Sequence, residues 1–283
     1  MTIVERHPAD PDQAWKQIMG LSPEMGYYLD RVAANTAILS TVWRRALTLG
    51  QYRTVVDPVA AEAETWDDLN FAAQAAAAVF TAATAPEGEE VSAVVGRPLT
   101  FQATGPSDDA HAGAWVTAAW LAVLQRDDAL IQRLAAVPLE VLRASGVEHD
   151  SYLMPWVETL QTFLAHREVT PEMFLPAMDG TDPETAQFTP PDAMLQLVYP
   201  PIRMFYYVLR RDSEKFAEAY VAALERHRAY WTAEGRETDP SGFLALAPLA
   251  VAVLARTVGM TFDVQSGYAP ANLLSGVAPV RND

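Results

Sequence analysis

Asp108, Asp109 and His111 put two carboxylates and an imidazole within one turn of chain, which are the ligand types and spacing for a divalent ion. They also stand directly ahead of a helix-forming run, where Ser107, Asp108 or Asp109 is expected as a helix cap. The capping reading is the one adopted, and no metal or cofactor is assigned. His149, Asp150 and Ser151 are hydrolase residue types side by side. Neighbours in sequence do not face one another for proton relay, and no strand–turn–helix elbow surrounds the serine. His227 shares a helical face with Leu224 near Tyr230 and Trp231, which predicts a buried, hydrogen-bonded core imidazole. There is no P-loop, no GxGxxG and no HExxH. With no cysteine in the chain, thiol nucleophiles, thiolate metal sites and disulfides are excluded. The chain is therefore not expected to be an enzyme.

What remains is contact chemistry. The 283 residues carry 20 basic and 36 acidic side chains, so the net charge is 20 − 36 = −16. Such a surface repels nucleic acid and anionic lipid and speeds encounter with a basic partner. Arg203, Arg210 and Arg211 are too few and too interleaved with apolar residues for a nucleic-acid footprint. Most tryptophans fall at apolar helical positions and are expected in the core. Trp66, between Glu64 and the pair Asp67 and Asp68, is the exception and reads as an interface anchor. The expected partner-contact residues are Glu64, Trp66, Asp67, Asp68, Asp108, Asp109 and His111. The first stretch is charged and lacks an apolar run, and the longest apolar stretch, Phe243–Ala255, is interrupted by Pro248 and short for a bilayer. The expectation is a cytoplasmic protein without a membrane segment.

The elements that must position these residues are helices. Residues 1–283 are expected to form a single, mainly α domain of stacked antiparallel helical hairpins, with one small β-hairpin near residues 91–103. Asp10–Met19 and Ser22–Leu49 read as a short and a long helix, the second ending at Gly50. Asp57–Thr84 is Ala-rich and helical, with a break near Thr65. The segment Asp108–Leu142 is the centre. Ala112, Trp115, Val116, Ala119, Trp120, Val123 and Leu124 recur at helical spacing, and Asp127 caps a second helix bearing Leu130, Ile131, Leu134 and Val137. Asp150 is expected to cap a helix over Tyr152–Ala165. Thr170–Gly180 reads as a short helix and Asp179–Pro191 as a loop. Pro200 and Pro201 open a helix over Ile202–Arg210, and Asp212 or Ser213 restarts one to Trp231. Phe243–Val258 reads as a core helix and Met260–Asp283 as an extended strap. The joint at Arg126-Asp127 recurs at Arg211-Asp212, each after an aromatic-rich helix, which suggests stacked helix pairs.

Several short segments, in order, resemble one family: Asp57-Pro58 with Glu64 and Trp66, Ala103–Pro106, Trp115 with Trp120, Arg126-Asp127, and Leu142–Gly146. Trp156 with Leu160, Tyr199–Ile202, Phe205-Tyr206, Leu209–Asp212, His227 with Tyr230-Trp231, Leu246–Leu249 and Asp263-Val264 with Tyr268 continue the series. On these the chain is similar to the immunity 49 family, found mostly in actinobacteria and assigned to polymorphic toxin systems. The resemblance implies an immunity protein, an antitoxin that neutralises a cognate toxin by direct stoichiometric binding. The −16 charge suits a basic toxin, such as a nuclease. A second copy of the chain is a further partner kept open. The family carries an acidic residue where this chain has His111, and Asn where it has Ala114. A helical scaffold or ligand-binding regulator without a toxin partner is the alternative function, followed by a metal-dependent enzyme using Asp108, Asp109 and His111.

Overall fold

A computed structural model describes residues 2–279, so the last residues of the expected strap, 280–283, lie outside the described part. The chain opens with a strand, β1 (Thr2–Val4), and a helix, α1 (Pro11–Val32). Asp10 accepts hydrogen bonds from the N–H groups of Asp12 and Gln13, and Pro11 occupies the first helical position. The expected pair of helices does not break at residues 20–21. α1 runs through Pro23 to Val32, and α2 (Ile38–Val56) continues past Gly50. Ala14, Ile18, Met25, Leu29 and Val32 form one buried face spanning the proline. Pro23 itself is exposed, so the carbonyl it leaves unpartnered can be hydrated. Gly50 serves packing rather than termination: a Cβ there would stand 2.6 Å from Leu69 Cδ2, so the glycine lets α2 meet the next helix.

That helix is α3 (Ala63–Thr84), whose alanines are buried almost all round. It lies between α2 and the central hairpin. Asp57 does not cap a helix at Pro58, and the expected break near Thr65 is the start of α3. The Asp57 carboxylate accepts from Ala61 N–H at 2.9 Å, Glu62 N–H at 3.0 Å and the Thr65 hydroxyl at 2.6 Å. It thereby ties the end of α2 to the first turn of α3. Asp57→Ala strands two backbone donors and a buried hydroxyl and is expected to cost about 2–3 kcal/mol, read as a lower urea midpoint; Asp57→Asn, which keeps an acceptor, should cost less.

The expected β-hairpin is present as β2 (Glu90–Val95) and β3 (Arg97–Gln102), paired antiparallel from Glu90↔Gln102 to Val95↔Arg97. Gly96, at φ 65°, makes the turn, and its N–H reaches Gln74 Oε1 at 2.8 Å, which fixes the hairpin on α3. The central segment follows as α4 (Ala112–Gln125), α5 (Asp128–Ala135) and α6 (Leu139–Arg143). Trp115 and Trp120 are both in the core.

Next come α7 (Leu153–Leu164) and α8 (Pro171–Asp179). Asp150 is not the cap of α7. Its carboxylate instead accepts from the N–H groups of Gln187, Phe188 and Thr189, pinning the Pro-rich loop. The helix expected from Ile202 begins earlier. α9 (Pro191–Ala193) passes through a π-turn at Met194–Val198 into α10 (Tyr199–Arg210). Pro200 and Pro201 cannot donate to carbonyls one turn back and their rings crowd them, so the helix widens and Tyr199 N–H bonds to Met194 O.

α11 (Ser213–Trp231) completes the second hairpin, with Phe216, Tyr220, Leu224 and His227 buried. The two joints are superimposable in detail. Arg126 and Arg211 both sit at φ 53°. The N–H of Arg126 bonds to Val123 O and that of Asp127 to Ala122 O, at 3.1 and 3.3 Å; Arg211 and Asp212 repeat this on Val208 O and Tyr207 O, both at 3.1 Å. Asp127 then caps Leu130 N–H and Asp212 caps Lys215 N–H, both at 3.0 Å. Each helix ends in a left-handed residue, and the next starts two residues later, after the capping aspartate.

α12 (Leu246–Thr257) is buried from Pro248 to Ala255 and packs against both α4 and α10, placing it between the hairpins. It starts later than expected: Ala245, just ahead of it, gives its N–H to Tyr268 O at 3.0 Å. The stretch Pro240–Thr257 has a mean hydropathy of 1.4 over 18 residues and 67% of it is buried. It is thus apolar and long enough on composition to cross a membrane, which the sequence reading had not anticipated. Its helical part is only 12 residues, about 18 Å, against a hydrocarbon core of about 30 Å. The tail is less extended than expected. β4 (Val264–Ser266) pairs in parallel with β1, Thr2↔Val264 to Val4↔Ser266, and α13 (Ala271–Ser275) docks its last carbonyls on Arg126. One continuous apolar cluster runs from Val4 to Leu273.

Candidate partner-binding surface

The expected contact residues fall in two places. Thr104 N–H bonds to Ala82 O at 3.0 Å and so fastens the 103–111 segment to the C-terminal end of α3. There Asp108–Ala110 forms a 3₁₀ turn, and the cap of α4 is His111, whose Nδ1 accepts Ala114 N–H at 3.3 Å. Neither Ser107, Asp108 nor Asp109 caps α4, because the 3₁₀ turn uses that stretch before the helix begins. One hydrogen bond thus joins the His111 ring to the backbone of Ala114. Asp109 lies 3.6 Å from Arg44 on α2, and Asp108 is exposed.

The His111 ring stands 5.5 Å from that of His149. Burial, the second imidazole and Arg44 hold His111 below the ordinary histidine pKa against the opposing pull of Asp109 and Asp108. Burial does the same to His149, opposed by Asp150. Both are poised as neutral rings. Among the described residues no group of three or more His, Asp or Glu side chains is placed to hold a metal ion.

The sequence reading missed what flanks this turn. The connection from α3 to β2 carries Glu87, Glu89 and Glu90, all exposed. It is held to the same segment by Gly88 N–H on Ala103 O at 2.9 Å and Ala103 N–H on Glu89 O at 2.7 Å. Three glutamates are therefore tied to the segment that leads into Asp108. The signal is in the sequence as three glutamates within residues 87–90, just ahead of the hairpin.

The other group lies at the N-terminal end of α3. Trp66 and Ala82, sixteen residues apart on one helix, are separated by about 24 Å, so the structure does not bring the two groups together. Glu64 and Asp67 are exposed. Asp68 is half-buried and bonded to Arg53 at 2.7 Å, with burial outweighing that arginine and raising its pKa. Trp66 is also half-buried, and its Nε1 donates to Ala60 O at 3.0 Å. The tryptophan that is exposed is Trp15, at 49%, against the expectation that it belongs to the core. Two clefts flank Arg126: one of 990 Å³ between the strap and the body, and one of 490 Å³ floored by Val123, Ile131, Phe163 and Leu254.

No curated protein and no solved structure matches the chain. The family model described as Immunity protein 49 matches residues 57–273, from the Asp57 knot through the helix that docks on Arg126. That stretch contains both jointed hairpins, α12 and every expected contact residue. The chain belongs to the Immunity protein 49 family.

Proposed function

We propose that the protein is a cytoplasmic immunity protein that neutralises a basic cognate toxin, a nuclease being the type its charge suits best, by stoichiometric binding without catalysis. The observation that carries this reading is the family match over residues 57–273, and its charge sharpens it: residues 57–283 hold 14 basic and 31 acidic side chains, 14 − 31 = −17. The binding face we assign is the end bearing Glu87, Glu89, Glu90, Asp108, Asp109 and His111. There the acids steer a cationic partner, and Asp109, partly neutralised by Arg44, marks the rim rather than the centre. Glu64, Trp66, Asp67 and Asp68, one helix length away, would be reached only by a toxin large enough to lie along α3.

Two measurements test it. Co-expression with the toxin encoded beside it should protect the host and yield a complex on gel filtration; an unprotected host with no complex refutes the reading. With the complex in hand, Glu87→Lys combined with Glu89→Lys should slow association about tenfold at low salt, with little effect at high salt. An association rate independent of both changes would remove the acidic end from the interface. The 490 Å³ groove supports a second reading, a ligand-binding helical regulator. Protein that protects no host but binds a small apolar ligand in that groove would favour it.

A further inference from the structure

The outer face of α1 carries Trp15, Met19, Pro23 and Tyr27, spaced four residues apart and all exposed, the three large ones at 49%, 59% and 56%. Four-residue spacing makes one continuous apolar stripe along a helix. The stripe lies outside residues 57–273, so it is no part of what the family model matches. Gly20 and Gly26 beside it have open space where a Cβ would be, so no side chain hinders close approach.

Charge says what can cover it. α1 holds two basic and three acidic side chains, 2 − 3 = −1, whereas the chain as a whole carries −16. Of the three acids on α1, Glu24 pairs with Arg45 and Asp30 with Arg97, which leaves Asp12 near its start. Arg31 stacks on Tyr27 at 3.3 Å. α1 therefore adds little to the attraction of a basic partner, and it is the face on which two acidic copies meet with least repulsion.

We infer that α1 is a self-association surface, on which a second copy of this chain docks about a two-fold axis with the two α1 helices antiparallel. That pairing sets Trp15 level with Tyr27 of the second copy and Met19 level with Pro23. It also brings Asp12 of each copy beside Arg31 of the other. Parallel pairing instead stacks Asp12 on Asp12 and Lys16 on Lys16. A 22-residue helix is about 33 Å long and about 10 Å wide, a footprint of roughly 330 Å² per copy. Twice that lies below the ~1,200–2,000 Å² of stable interfaces, so the dimer is reversible and forms in the micromolar range or above.

Sedimentation velocity of the full chain over a concentration series tests this. The wild type should shift from monomer to dimer. Met19→Glu and Gly26→Arg, both at exposed positions without core contacts, should each weaken the dimer about tenfold or more. Leu175→Glu, an equally exposed apolar site on α8, should leave it unchanged. A wild type that stays monomeric throughout, or a dimer indifferent to Met19→Glu, overturns the inference. So does a monomeric chain whose capture of the neighbouring toxin is lost on Met19→Glu, since the toxin would then be the occupant. Host protection is scored separately, so failure of the dimer leaves the immunity reading standing.

Discussion

Trp115→Ala should destabilise the protein by about 3–5 kcal/mol, the largest effect expected of a single change. The indole is fully buried at 0% exposure, and its Nε1 donates to Leu134 O at 2.9 Å. It therefore fills the space among α3, α4 and α5 and also satisfies a carbonyl at the end of α5. Truncation leaves a cavity in a helix layer too close-packed with alanine to collapse around it. Trp115→Phe separates the two roles, because it keeps much of the apolar volume and strands the carbonyl. Its expected cost is about 1–3 kcal/mol. Trp15→Ala is the contrast: half exposed on α1, it should stay within about 0.5 kcal/mol of wild type in dilute solution. Urea midpoints with unchanged slopes would establish the ranking. Equal losses at Trp115 and Trp15 would mean that the central hairpin does not hold the core.

Much of this architecture is legible in the sequence, and the parts that are not share a cause. The central hairpin, the β-hairpin, α12 and the two Arg-Asp joints were legible because their signals are local: helical spacing, a capping aspartate and a run of apolar residues. The Arg126 and Arg211 joints match down to the left-handed residue, although neither position is the glycine usually expected there. The misreadings arose where a polar or turn-forming residue acts at a distance. Asp150 binds the 187–189 backbone, Asp57 reaches Thr65, and Gly50 makes room for Leu69. Each looked like a cap or a terminator because sequence shows only the immediate neighbours. Ser22 and Pro23 have the residue types of a helix start, although the buried face of α1 continues across them. The contact surface was least legible. Exposure of Trp15 and shielding of Trp66 depend on which neighbours arrive, and the glutamates of the 86–90 turn join Asp108 only through the strand that returns at Ala103.

Between pH 6.5 and pH 4 the protein should lose roughly 3 kcal/mol through one buried histidine, His227. Its Nε2 donates to Gly242 O at 3.0 Å, and its ring stands 4.9 Å from that of Tyr268. Burial is the main cause that pushes its pKa down from 6.5 to about 4; the Gly242 hydrogen bond opposes the shift and nearby His7 adds to it. As pH falls through 6.5 the unfolded chain takes up a proton that the native state refuses until about 4, so acid favours unfolding across that window and stability is fully present above it. His7 acts in the same direction. It is buried against Tyr268, with Nδ1 2.8 Å from the hydroxyl, and burial lowers its pKa too. Asp68, raised by burial, works the opposite way, because the native state takes up its proton first. Burial raises the Asp150 pKa, but hydrogen bonds from the Thr189 side chain and the 187–189 backbone outweigh it and lower it, so its contribution is lost from the ordinary carboxylate range downward. His227→Gln removes the titration while retaining an amide donor for Gly242 O. Its stability at pH 7 should drop through imperfect packing, yet its loss between pH 6.5 and 4 should be smaller than that of wild type by roughly 3 kcal/mol. Urea denaturation at a series of pH values gives both curves. Parallel curves would show that the His227 ring accepts its proton without opening the seam between α11, the 240–242 turn and the returning strap. Converging curves would identify that seam, the point where both ends of the chain meet, as the first part of the fold to yield to acid.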